Sequence, residues 1–214
     1  MTDCSIQTGG LPPSIRGCVV ALDRCLELLG EIDDATFIAP SSDHGTIGAH
    51  LRHCIEYFRC FCKEQTTGLV EYDAREREPA LETDRELSRC AIEAMIRELG
   101  TRHTDDLDRT VKIQQSLAPG EPAETILSTV RREWMSLSDH TIHHLAIITQ
   151  LIAARETANG GRTDNATHVA SRLGVAFSTE AHRASVESTA GVDSSPEAKV
   201  SGEKRVEDAD GCAR

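Results

Sequence analysis

The segment "HTIHHLA", His140 to Ala146, sets three imidazoles within five residues, and two of them, His140 and His144, stand four apart. Four residues of α-helix bring the second ring back to within about 40° of the first, one turn along. Two nitrogens placed that way can share one ion at about 2.0–2.1 Å from each. Leu137, His140, His144, Ile148 and Leu151 follow steps of three, four, four and three, which predicts an inward-facing stripe with two imidazoles inside it. Burying a neutral imidazole with nothing to bond costs a few kcal/mol, so the pair must meet either a divalent metal or hydrogen-bond acceptors. No obvious dedicated carboxylate stands one turn away to serve the second reading.

Two histidines make a weak site, and the stretch "TIGAHLRHCIEYF", Thr46 to Phe58, offers a third ligand in His50 or His53. Periodicity places His50 nearer the centre of the apolar stripe and His53 on its edge. Core logic selects the first, whereas a solvent-accessible metal cleft would use the second, and spacing alone leaves both open. Glu133, seven residues before His140, is a candidate base or orienting group, with a solvent ion pair to Arg131 or Arg132 as its favoured reading. Asp73, Arg75, Glu76 and Arg77 are expected to form a solvated surface, the alternative being a polar entrance to the site. Cys54 adjoins His53, but its place on the apolar stripe favours packing. Cys60 and Cys62 are two apart, point in different directions around a helix, and are read as packing residues too.

These residues need helices to hold them. One is expected over about Ser14–Gly30, where Val19, Leu22, Leu26 and Leu29 are helically spaced, and a second over Thr46–Gln65 with Ile47, Leu51, Cys54, Phe58 and Phe61 inward. Thr83 and Glu86 have the form of a capping box and should open a third, carrying Leu87, Ile92, Met95, Ile96 and Leu99 and stopped by Gly100. The fourth and longest is expected over about Ala123–Ala154, with Pro122 in its first turn and Ile126 and Val130 facing the core. "TVKIQQSL" alternates weakly and reads as a short extended piece. The fold class expected is therefore all-α, a four-helix bundle over residues 14–187 with long connections and a disordered tail over 188–214.

The totals agree. Aromatic residues are 3% of the 214, so the core must be aliphatic, which favours helices over a β-sandwich. A formal charge of -12 without any Lys/Arg cluster argues against nucleic acid as a partner. No apolar run approaches the roughly 20 residues of a membrane span, and the N-terminus lacks secretory-signal character. The eight cysteines read as free thiols, so a cytoplasmic location is expected.

"HTIHHLA" and "HLRHCIEYF" together resemble the DinB-like superfamily of metal-binding four-helix bundles, whose pattern is one histidine on the second helix and an H-x-x-x-H pair on the last long helix. The resemblance covers about residues 14–187, including "EYDARERE" and "GVAFSTEAHR". It implies that His53, His140 and His144 bind the metal, with His50 a neighbour and His143 turned to the side of its helix. Relatives include bacillithiol and mycothiol S-transferases and the N-terminal domains of ergothioneine and ovothiol sulfoxide synthases. By analogy the resemblance implies a divalent ion (Zn, Ni or Fe) and a low-molecular-weight thiol as substrate of an S-transferase, with pairing as a homodimer. The larger second domain of the sulfoxide synthases has no counterpart here, so their full reaction is not implied. A non-enzymatic metal-binding or stress-response bundle is the alternative, and a metal-free structural bundle a third.

Overall fold

Thr46 opens the helix that carries His50 and His53: its side chain accepts a hydrogen bond from the Ala49 backbone N–H, and the helix, α3, runs Ile47–Glu64. In the computed structural model the described residues are 10–41, 45–101, 106–158 and 173–190. Three further long helices accompany α3: α1 (Pro13–Glu31), α5 (Arg85–Gly100) and α6 (Val130–Ala158). Helices α5 and α6 each pack on both α1 and α3, so the four enclose one aliphatic core. Short helices α2 (Asp34–Phe37) and α4 (Ala80–Thr83) lie within the expected connections.

The whole stripe expected on α3 is found. Ile47, Leu51, Cys54, Phe58 and Phe61 are all buried, as are Ile92, Met95, Ile96 and Leu99 of α5. Trp134 of α6 is fully buried with Phe61 edge-on to it at 4.7 Å, and its backbone carbonyl accepts from the Cys18 thiol of α1. Trp134 thus ties three helices together, through its ring and its backbone carbonyl. Among the described residues no helix is long and apolar enough to cross a membrane.

The all-α expectation needs correcting, because a three-stranded sheet lies in the order β1 (Leu69–Glu71), β2 (Thr110–Gln115), β3 (Glu124–Thr129). The weak alternation of "TVKIQQSL" does become β2, which pairs parallel with β1 and antiparallel with β3. What was expected as the first two turns of the last helix is β3 instead. Ile126 is 52% exposed rather than in the core, and Pro122 lies in the β2–β3 loop. The cause is tertiary: six residues from Thr110 to Gln115 offer backbone partners to six from Glu124 to Thr129, and Thr125, Ile126 and Thr129 are β-branched. Helix α6 then begins where the ladder stops. Thr129 Oγ1 accepts from the Arg132 N–H, while the N–H groups of Val130 and Arg131 donate to the carbonyls of Arg109 and Leu107.

The cap of α5 also differs by one residue. Asp84, not Thr83, accepts from Leu87 N–H, because Thr83 closes α4. The compact unit bearing the histidines ends at Ala176, and the unit that follows begins with helix α7 (Phe177–Ala190). It includes residues 188–190, which were expected in the tail; the rest of that expected tail, 191–214, lies outside the described residues.

Gly48 shows how closely α3 is held. A Cβ built there would stand 2.1 Å from the Glu82 carbonyl oxygen and 2.8 Å from the Phe37 ring. Gly48→Ala in a helix would ordinarily gain up to about 1 kcal/mol. Here the obstacle is backbone, which cannot rotate away, and overpacking of this kind costs about 1–3 kcal/mol. Chemical denaturation of Gly48→Ala should show net destabilisation; a stabilised variant would mean that α3 and α4 are not in contact as described.

Candidate metal centre

Helix α3 and helix α6 lie side by side, and the face between them carries histidines from both. His53, His140 and His144 each offer a ligand atom within 4.8 Å of the other two, so these three could hold a metal ion. Ring centroids are 5.0 Å apart for His53 and His140, 4.8 Å for His53 and His144, and 4.5 Å for His140 and His144. A tetrahedral ion about 2.1 Å from each nitrogen would need N···N separations of roughly 3.4 Å, a modest contraction of the ring of imidazoles.

The position of the pair on α6 corrects the simplest periodic reading. Leu137, Thr141, Leu145, Ile148 and Ile152 are the buried seam, whereas His140 and His144 are half-buried along its flank. On α3, His50, His53 and Tyr57 likewise fall on a half-buried edge. Two edges facing each other make a cleft that is neither sealed core nor open surface. The geometry groups His53, and not His50, with His140 and His144, while His50 bonds to one of the three, its Nδ1 2.8 Å from His144 Nδ1. His143 is exposed, 5.7 Å ring to ring from His144, and outside the trio.

The donor set suits a cation. Burial pushes the pKa of His53 down to about 4, with His140 and then Arg75 lowering it further. His144 is held at about 3, first by burial and then by the neighbouring imidazoles His140 and His53. His140 is lowered as well, by burial and then by His143 and Arg75. All three rings are therefore neutral near pH 7, the form that binds metal. His140 Nε2 is buried and has no hydrogen-bond partner among the described residues. An unpartnered buried nitrogen beside two others is what a ligand set without its ion presents.

Against this cluster lies a layer of polar and aromatic groups. Tyr57 packs 4.9 Å from the His140 ring and stacks on Tyr72 at 4.9 Å. Tyr72 Oη donates to Glu133 at 2.9 Å and Ser128 Oγ donates to its other oxygen at 2.6 Å. Glu133 is 7% exposed, so it is not the solvent ion pair expected from sequence; Arg131 pairs with Asp108 instead. Burial raises the Tyr72 pKa, and the Glu133 charge raises it again, which keeps that phenol a proton donor. A cavity of about 640 Å³ opens beside these groups, with Tyr57, Tyr72, Leu127, Glu133, His140 and His143 among its walls. A larger hollow of about 720 Å³ near α2 and the end of α6 contains none of the histidines.

The remaining candidates sort plainly. Cys54 is buried and its thiol is pushed up to about 12, so it packs. Cys60 and Cys62 face different partners, Glu64 and Met95. Asp73 and Glu76 point to the surface, accepting from Ser116 N–H and Lys63. Arg75 alone of that run turns inward, to His53. Tyr57 was legible, being four residues after His53 on one helix face. Tyr72 and Ser128 carried no local signal, since strand pairing brings them to Glu133.

No protein-family model, no curated protein and no solved structure matches the chain. What the fold and site define is a mostly helical protein with a small sheet and a three-histidine cluster able to hold a metal ion.

Elemental analysis of untagged protein offered Zn²⁺ should give about one ion per chain. His53→Ala, His140→Ala and His144→Ala should each abolish retention, while His50→Ala, removing only a partner of His144, should weaken binding about 10- to 100-fold. Retention by His53→Ala would break the assignment. The metal-free protein should also lose stability in acid. Rings whose pKa falls on folding are protonated more readily in the unfolded chain, so their contribution is full above the ordinary histidine value of 6.5 and is lost as pH falls toward about 4. Melting temperatures between pH 7.5 and 4.5 should fall in the parent and fall less steeply in a His53→Ala, His144→Ala double variant.

Proposed function

We propose that this protein is a metal-dependent enzyme of DinB-like type, which transfers a low-molecular-weight thiol to a small electrophile. The observation that carries the reading is the position of His140, which belongs both to the three-histidine cluster and to the wall of the 640 Å³ cavity. Three protein ligands leave coordination positions free, the arrangement of catalytic rather than structural sites. A divalent ion held there would supply the Lewis acidity that keeps a bound thiol as thiolate at neutral pH.

The chain's own groups would do the rest. Leu127 and the stacked Tyr57 and Tyr72 rings give the cavity apolar surface for the body of a small molecule. Glu133, held by Tyr72 and Ser128, fixes a carboxylate at that wall, where it can orient a substrate donor. His50 steadies the ring of His144 from behind.

A second reading, a metal-binding or stress-response module without turnover, is favoured by one feature. None of the three rings is hydrogen-bonded to a carboxylate among the described residues, so a dedicated proton-transfer partner at the ligands is lacking.

The zinc-loaded chain should accelerate adduct formation between monobromobimane and at least one low-molecular-weight thiol over the uncatalysed rate. His144→Ala should return the rate to background. Stoichiometric metal with no turnover across cysteine, glutathione, bacillithiol and mycothiol would favour the module over the enzyme.

A further inference from the structure

Metal-bound histidines ordinarily donate their second ring N–H to an acceptor, which fixes the lone pair on the metal side. His53 is wired the other way. Its Nδ1 lies 3.3 Å from Arg75 Nη2, and a guanidinium has only donors to offer. Nδ1 must therefore be the accepting nitrogen. In a neutral ring the proton then sits on Nε2, leaving no lone pair there for an ion. The other two rings are not so constrained. His144 Nδ1 faces His50 Nδ1, either of which can donate, and His140 Nε2 has no partner among the described residues.

Arg75 has a second seat within reach. Its side chain is only 11% exposed, and the guanidinium donates from Nη1 to the Tyr72 carbonyl at 2.9 Å and lies over the Tyr57 ring at 4.6 Å. Its Nε is buried and makes no hydrogen bond among the described residues, standing 3.7 Å from Glu56 Oε2 as a loose ion pair. Glu56 is 2% exposed, and its other oxygen already accepts from the Glu78 N–H at 2.8 Å. A small swing of the arginine would exchange the bond to a neutral imidazole for a charge-assisted one to a carboxylate.

We propose that Arg75 is a built-in competitor for the metal site: it holds His53 in the tautomer that cannot ligate through Nε2, and loading of the site moves it across to Glu56. The proton on His53 Nε2 passes to Nδ1 as the guanidinium leaves, so this ring neither gains nor loses a proton overall. Departure of the guanidinium also removes a positive charge from beside the incoming cation. The effect is a site whose affinity is set from outside the ligand set, by the segment that follows β1. This inference rests on the metal-binding reading above.

The test is zinc titration of the untagged full-length chain against a chromophoric chelator, with circular dichroism to establish folding. Arg75→Gln supplies a side-chain oxygen that can accept from Nδ1–H, so zinc binding should tighten on the order of ten-fold. Glu56→Gln removes the charged second seat and should weaken it, an effect that should vanish in the Arg75→Gln background. Nitrogen NMR of the ring of His53 should show Nε2–H in zinc-free wild type and Nδ1–H after loading. A folded Arg75→Gln protein with unchanged or weaker zinc affinity overturns the proposal, as does Nδ1–H in the zinc-free protein. Should Arg75→Gln not fold, the wild-type NMR result decides by itself. Wild type that binds zinc while Arg75→Gln binds no tighter removes only the role of Arg75; wild type that binds none removes the metal centre with it.

Discussion

The site depends on the register between α3 and α6. An α-helix rises about 5.4 Å per turn, so a slip of one turn would carry His53 clear of both His140 and His144. Packing below the site prevents that slip. Phe61 sits edge-on to Trp134 about two turns beyond His53 on α3, and Trp134 is fully enclosed, so neither helix can slide without opening a void. Large aromatic residues are few in this chain, and two of them fix the helix pair that carries the histidines.

Burial does a second job at the same place. Half-buried imidazoles that crowd one another cannot readily become charged, so the cluster stays neutral while remaining open on one side. A fully buried cluster would exclude an incoming ligand, and an exposed one would surrender its nitrogens to protons and water. The flank position of His140 and His144, beside the seam of Thr141, Leu145 and Ile148, gives the intermediate condition.

The small sheet matters more than its size suggests. By pairing β3 with β2 it delays the start of α6 to Val130 and sets Ser128 against Glu133. By pairing β1 with β2 it places Tyr72 and then Arg75, which reach Glu133 and His53. The histidines come from helices, but their polar surroundings come largely from the segments around these strands.

The amino-acid sequence by itself determined the four long helices, most of their inward residues, and the pairing of His140 with His144, because all of these follow from the 3.6-residue period within one segment. It named His50 and His53 without choosing between them on spacing. Only the tertiary structure showed His53 grouped with His140 and His144, the strand in place of the first turns of α6, and the partners of Glu133 and Arg75. Each of these turns on contacts between residues far apart in the chain. A strand edge, a buried carboxylate and an inward arginine take their character from what packs against them, and no local pattern records it.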